Sequence, residues 1–212
     1  NKELIESLHL KTLKTLNAHF SKYPYLFGGK ASIGDFGMIA PLYGHLGRDP
    51  VPLSLMQINA PRLFRWVERM NRHEPDIGEF ENKSATFLDD DEIPETLIEV
   101  LKHFATDFIP ESMAAYECVS NWLEENKDLP SGTEVSREVG KCKFRVDGVE
   151  IDAVAQPFRF YLMKRLHDQF DSLGSKDQEE VRELLKDCQM DEVLDMRLSR
   201  EIGRANNLEV WL

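Results

Sequence analysis

Cys142 stands between Lys141 and Lys143, and cations beside a thiol stabilise the thiolate that carries nucleophilic and redox chemistry. Sequence neighbours in a strand point to opposite faces, so the alternative is a thiol turned away from both lysines. Arg62, Arg65, Arg69 and Arg72 recur at helical steps, which projects four guanidinium groups from nearly one side of a helix. That stripe is a candidate surface for an anion or a partner; the plainer alternative is a solvated face paired with Glu68 and nearby acids. Ser32 precedes Asp35 at the mouth of an apolar run, so each side chain can satisfy the other residue's backbone N–H. This capping box is a folding device and not a reaction centre.

Other chemistry finds less support. Gln156, Arg159, Tyr161 and Arg165 gather polar and cationic groups early in one helix, but the two arginines point to different sides of it. Asp89, Asp90, Asp91 and Glu92 form an acidic run without the alternating oxygen donors of a calcium loop. Of His9, His19, His45, His73, His103 and His167, none shares a helical turn with a second His or a Cys, and no metal site is expected. There is no Gly-x-Ser-x-Gly elbow, phosphate loop or dinucleotide fingerprint. Catalytic and cofactor-binding residues therefore stay unassigned.

The elements that position these residues read as helices. Leu4, Ile5, Leu8, Leu13 and Leu16 follow helical spacing as the chain begins, and the helix runs to Phe20 and stops before Pro24. From Ser32, the residues Phe36, Ile39, Ala40, Tyr43 and Leu46 form an apolar stripe. Pro41 lies within it, which suggests a kinked element buried and held by its neighbours. The next helix begins near Asn59 with Pro61 tolerated in its first turn, and Leu63, Trp66, Val67 and Met70 form its apolar face. Asp76 to Glu92 reads as a charged connecting loop anchored by Ile77, Phe80, Phe87 and Leu88. The helical period returns from Pro94 to Asn126, where Pro110 divides or kinks it. Asp147-Gly148 signals a hairpin, and after Pro157 the residues Phe158, Tyr161, Leu162, Leu166 and Phe170 restore a helix. Ser175 and Gln178 read as a second capping box, and the tail ending in Val210-Trp211-Leu212 is too apolar for water and is expected to dock.

With 38 acidic and 26 basic residues the chain carries a net charge of −12, which opposes binding to nucleic-acid phosphates and anionic membranes. No apolar run is long enough to span a bilayer. Cys118, Cys142 and Cys188 are dispersed, which suits a reducing compartment, with the cytoplasm as the default. The chain begins with Asn in an already helical pattern, which reads as a piece whose upstream part was removed.

The run Pro24-Tyr25-Leu26-Phe27-Gly28-Gly29, then Ser32-Ile33-Gly34-Asp35-Phe36, then Pro61 through Trp66-Val67 to Met70-Asn71 resembles the C-terminal domain of the glutathione transferase superfamily. Ser32 and Asp35 match that family's capping box, and Trp66 matches the aromatic on its next helix. The fold class implied is mostly α: a glutathione-transferase C-terminal-like helical bundle with a small β-hairpin, near 143–152, in a C-terminal extension. Residues 1–75 are then the core helices, 76–93 an acidic connecting loop and 94–212 an extension packed on the first part. The resemblance implies an upstream thioredoxin-like domain that binds glutathione as co-substrate and supplies the catalytic residue. The helical domain would form the electrophile-side wall and part of a homodimer contact, and would be inactive alone. The alternative is a non-catalytic binding or scaffold module built on the same fold.

Overall fold

The computed structural model describes residues 1–72, 79–81 and 83–212. His73, Asp76 and Ile77, with the start of the expected acidic loop, lie outside the described residues. Among the described residues there are seven α-helices and two antiparallel strand pairs, so the chain is mostly α. It divides into two compact units, Lys2–His103 and Phe104–Leu212.

The first unit contains α1 (Lys2–Phe20), α2 (Ile33–Gly44), α3 (Pro50–Asn59), α4 (Pro61–Met70) and the first turns of α5 (Glu95–Glu125). Central to it is α4, which packs against α1, α2 and α3. Its first residue is Pro61, where a missing N–H costs nothing. Leu63, Trp66 and Val67 are buried, as are Leu13 and Leu16 of α1 and Met56 of α3. Trp66 stacks on Phe20 with ring centroids 4.8 Å apart. The helix α3 was not anticipated, because Pro50 and Pro52 punctuate the sequence there; Pro50 takes the tolerated first position.

One expectation for α2, that the element is buried, is corrected. The helix keeps its period across Pro41, but Phe36, Ala40 and Tyr43 face solvent together with Ile33. Its buried residues are Asp35 and Leu42. The helix is not enclosed: it lies on its neighbours by a narrow face that includes a carboxylate.

In the second unit α5 runs through Pro110 as one helix rather than two. Next come β1 (Lys141–Val146) and β2 (Val149–Val154), paired from Lys141↔Val154 to Val146↔Val149. Asp147 and Gly148 both take positive φ, 48° and 79°, as a two-residue turn matched to strand twist requires. Then follow α6 (Phe158–Asp171), α7 (Ser175–Asp187) and a second hairpin, β3 (Ile202–Ala205) with β4 (Leu208–Trp211). This second hairpin was not foreseen, although Asn206-Asn207, at φ 50° and 64°, carries the same kind of turn signal.

The apolar tail docks as β4. Trp211 is fully buried and stacks on Trp122 at 5.8 Å. Its N–H donates to Thr133 O, and its own carbonyl accepts from Gly132 N–H. Arg200 Nε donates to the Leu212 carbonyl at 2.7 Å, and its Nη1 donates to Leu129 O. Two further readings are corrected here. On α6 the buried residues are Phe160, Met163 and His167, while Phe158, Leu162 and Leu166 are exposed, because α6 packs on β3 and the 3-10 turn at Asp191–Leu194. Ser175 is already helical, Gly174 holds the cap position without a side-chain bond, and Gln178 Nε2 donates to Phe170 O.

Trp211→Ala removes the largest buried side chain of the second unit and should cost about 3–5 kcal/mol, read as a lowered urea midpoint of that unit. Leu212→Ala, at a half-exposed position, should cost far less in the same experiment.

Candidate functional site

Asp35 is fully buried and is bonded from several directions. Oδ1 accepts from Leu26 N–H at 3.1 Å and from Trp66 Nε1–H at 3.0 Å. Oδ2 accepts from Ser32 N–H at 2.8 Å and from Ser32 Oγ–H at 2.7 Å. The Ser32 hydroxyl in turn accepts from Asp35 N–H at 3.4 Å. The capping box predicted locally is thus part of a larger node joining the turn before α2, the cap and α4. A carboxylate with four donors at a helix N-terminus is compensated for its burial, and its lone pairs are committed to structure. The indole N–H of buried Trp66 was the missed signal, since such a group needs an acceptor.

His19, also fully buried, sits beside this node. Its Nε2 lies 3.2 Å from Tyr25 O and its Nδ1 2.9 Å from Thr96 Oγ1. A carbonyl only accepts, so the proton is on Nε2 and the Thr96 hydroxyl donates to Nδ1. Burial pushes the imidazole pKa below 6.5, and the Tyr25 carbonyl and the Asp35 charge offset this in part.

The arginine stripe resolves into a clasp. Arg62 Nη1 lies 2.6 Å from Glu79 Oε1, while Arg69 Nη1 and Arg65 Nε lie 3.2 Å and 3.6 Å from Oε2. Arg72 pairs with Glu68 at 4.0 Å. Arg69 is not a surface group: its side chain is only 4% exposed. It donates from Nη2 and Nε to Pro24 O at 2.7 and 3.2 Å and lies over the rings of Tyr25 and Phe80. Glu79 was not foreseen as the focus, because nothing in the sequence distinguishes it from neighbouring acids.

In the second unit Cys142 is buried, and its thiol pKa is pushed up by burial and then by the neighbouring Cys118. Lys141 and Lys143 are exposed, with Lys143 held by Glu150 at 2.8 Å, so the flanking lysines do not activate the thiol. Arg159 turns to Glu111 at 2.7 Å and Ser112 Oγ at 2.6 Å, whereas Gln156 and Arg165 are exposed. A cleft of about 220 Å³ lies over Phe160, Met196 and Ile202. Its rim is internally neutralised by a two-pronged Arg197–Asp171 pair at 2.7 and 2.8 Å and by Lys164–Asp168 at 2.7 Å. The Arg197 guanidinium holds the Asp171 pKa below its usual value. Among the described residues no group of three or more His, Cys, Asp or Glu is arranged to hold a metal, and no helix is long and apolar enough to cross a membrane.

What distinguishes the surface of the first unit is exposed apolar area. Ile33 is 87% and Phe36 63% exposed on α2; Val51 is 71% and Ile58 75% exposed on α3. Ile33, Phe36, Ala40 and Tyr43 form one helical stripe, and apolar patches of this kind mark interaction sites.

Residues 6–74 match the family model described as Glutathione S-transferase, C-terminal domain. The matched segment, which holds most of α1 and all of α2, α3 and α4, is therefore a C-terminal domain of the glutathione S-transferase superfamily. No curated protein and no solved structure shows a significant match to the chain.

Asp35→Ala strands the Leu26 and Trp66 donors and should cost about 3 kcal/mol, against about 1 kcal/mol for Ser32→Ala, which loses only the cap; chemical denaturation measures both. For His19, a folded pKa below the unfolded value of 6.5 means that the unfolded chain binds more protons below that pH. Its contribution is full above pH 6.5, declines as the pH falls from there and levels off below the folded pKa. Urea midpoints measured against pH should show this decline in the native chain and a smaller one in His19→Gln.

Proposed function

We propose, from the membership of residues 6–74 in the glutathione S-transferase C-terminal domain family, that this chain is the helical part of a glutathione-dependent transferase. In this reading an upstream thioredoxin-like domain binds glutathione as co-substrate and supplies the activating residue. The helices form the electrophile-side wall of the pocket and part of a homodimer contact. The observation that carries the reading is the apolar stripe of Ile33, Phe36 and Tyr43, which the buried Asp35 holds outward within the matched segment. It is an apolar surface on a helix whose opposite face is already committed to α4. No residue of the chain is given a catalytic role, and the chain by itself is expected to be inactive.

A second reading, a non-catalytic binding or scaffold module, is favoured by Phe158, Leu162 and Leu166, a separate exposed stripe on α6 outside the matched residues.

Isothermal titration of glutathione separates the two. Heat from the protein joined to a thioredoxin-like domain, but not from residues 1–212, is the expected result. Binding by neither overturns the transferase reading in favour of the scaffold. Conjugation of an electrophile by residues 1–212 alone overturns the division of labour.

A further inference from the structure

Two of the three thiols share one wall of the second unit. Cys118 on α5 and Cys142 on β1 line the same cleft, with Trp122 and Val139 beside them. Cys118 Sγ lies 3.9 Å from the carbonyl oxygen of Lys141, the group that forms the peptide bond to Cys142. The Cys118 sulfur thus approaches the backbone from which the Cys142 side chain starts. Gly140 makes the approach possible: a Cβ there would stand 2.7 Å from Cys118 Sγ. Cys142 turns inward along β1 into the apolar cluster of Ala115, Val119 and Leu123, against which Cys118 also packs. Cys188, fully buried at the end of α7, does not line this cleft.

We propose that Cys118 and Cys142 form an oxidisable dithiol, which a small-molecule disulfide converts to an intramolecular disulfide that fastens α5 to β1. Cys118 is the less buried of the pair and reacts first. Its thiolate attacks one sulfur of the small disulfide; that S–S bond breaks, a mixed disulfide forms on Cys118 and one thiol leaves with a proton. The Cys142 thiolate then attacks the Cys118 sulfur and releases the second thiol. Two protein thiols are oxidised and one disulfide is reduced to two thiols. The Cys142 thiol, whose pKa is pushed up chiefly by burial, enters in the second step, in which the partner sulfur is already in place. This chemistry is independent of the transferase reading.

The test uses bis(2-hydroxyethyl) disulfide, which lacks the recognition groups of glutathione. The native chain is treated, quenched with an alkylating agent and mapped by peptide mass spectrometry. The expected product is a peptide pair linked through Cys118 and Cys142, with Cys188 alkylated only after unfolding. Cys142→Ser should stop at the mixed disulfide on Cys118, and Cys118→Ser should abolish the link. Gly140→Ala, whose Cβ displaces the Cys118 sulfur, should slow closure several-fold. A native chain that stays reduced, that ends as a mixed disulfide, or that links through Cys188 instead overturns the proposal, whatever the folding of the variants.

Discussion

A carboxylate removed from water must be met by donors on its open sides, and Asp35 is met by four. They come from Leu26 in the turn before α2, from the backbone and hydroxyl of Ser32, and from Trp66 on α4. The first unit follows from that requirement. Successive residues on a helix are turned by about 100°, so an Asp35 that faces α4 turns Ile33 and Phe36 toward solvent. The exposed apolar stripe of α2 is thus a consequence of the polar anchor beneath it. His19 completes the neighbourhood, joining α1 to Tyr25 and Thr96.

The turn preceding α2 is held from a second side. Arg69 binds the Pro24 carbonyl and Glu79 together. Farther along, Gly29 N–H donates to Thr86 O and Leu88 N–H to Phe27 O. The later part of the acidic segment is therefore stitched to the turn by strand-like bonds at Gly28↔Phe87. This explains most of the basic stripe on α4 in an acidic chain: Arg62, Arg65 and Arg69 bind that segment through Glu79.

In the second unit the corresponding constraint is the burial of Trp211 against Trp122. Arg200 fixes the backbone around it, and residues 132–135 add strand-like bonds to β4. On the same side of the cluster, Gly140 brings Cys118 to the start of β1. Close packing here serves stability and also places two thiols together.

Local features were legible in the sequence because their partners lie within a few residues. The periods of α1, α4 and α6, the Ser32–Asp35 box, the Asp147-Gly148 turn and the family passage from Pro24 to Asn71 are all of this kind. The second hairpin and α3 carried local signals, Asn206-Asn207 and Pro50, that competed with stronger patterns around them. Which side of α2 and α6 meets the core was not legible. Periodicity defines an apolar stripe, but only remote groups decide whether it is covered. The Trp66 N–H, thirty-one residues from Asp35, drew a carboxylate inward on α2; β3 and the 3-10 turn at Asp191–Leu194 drew Phe160, Met163 and His167 inward on α6. The sequence by itself determined helices, caps, turns and the family of residues 6–74; the tertiary structure decided which faces they bury, because directional bonds to buried polar groups outweigh the loose preference of an apolar stripe for any cover.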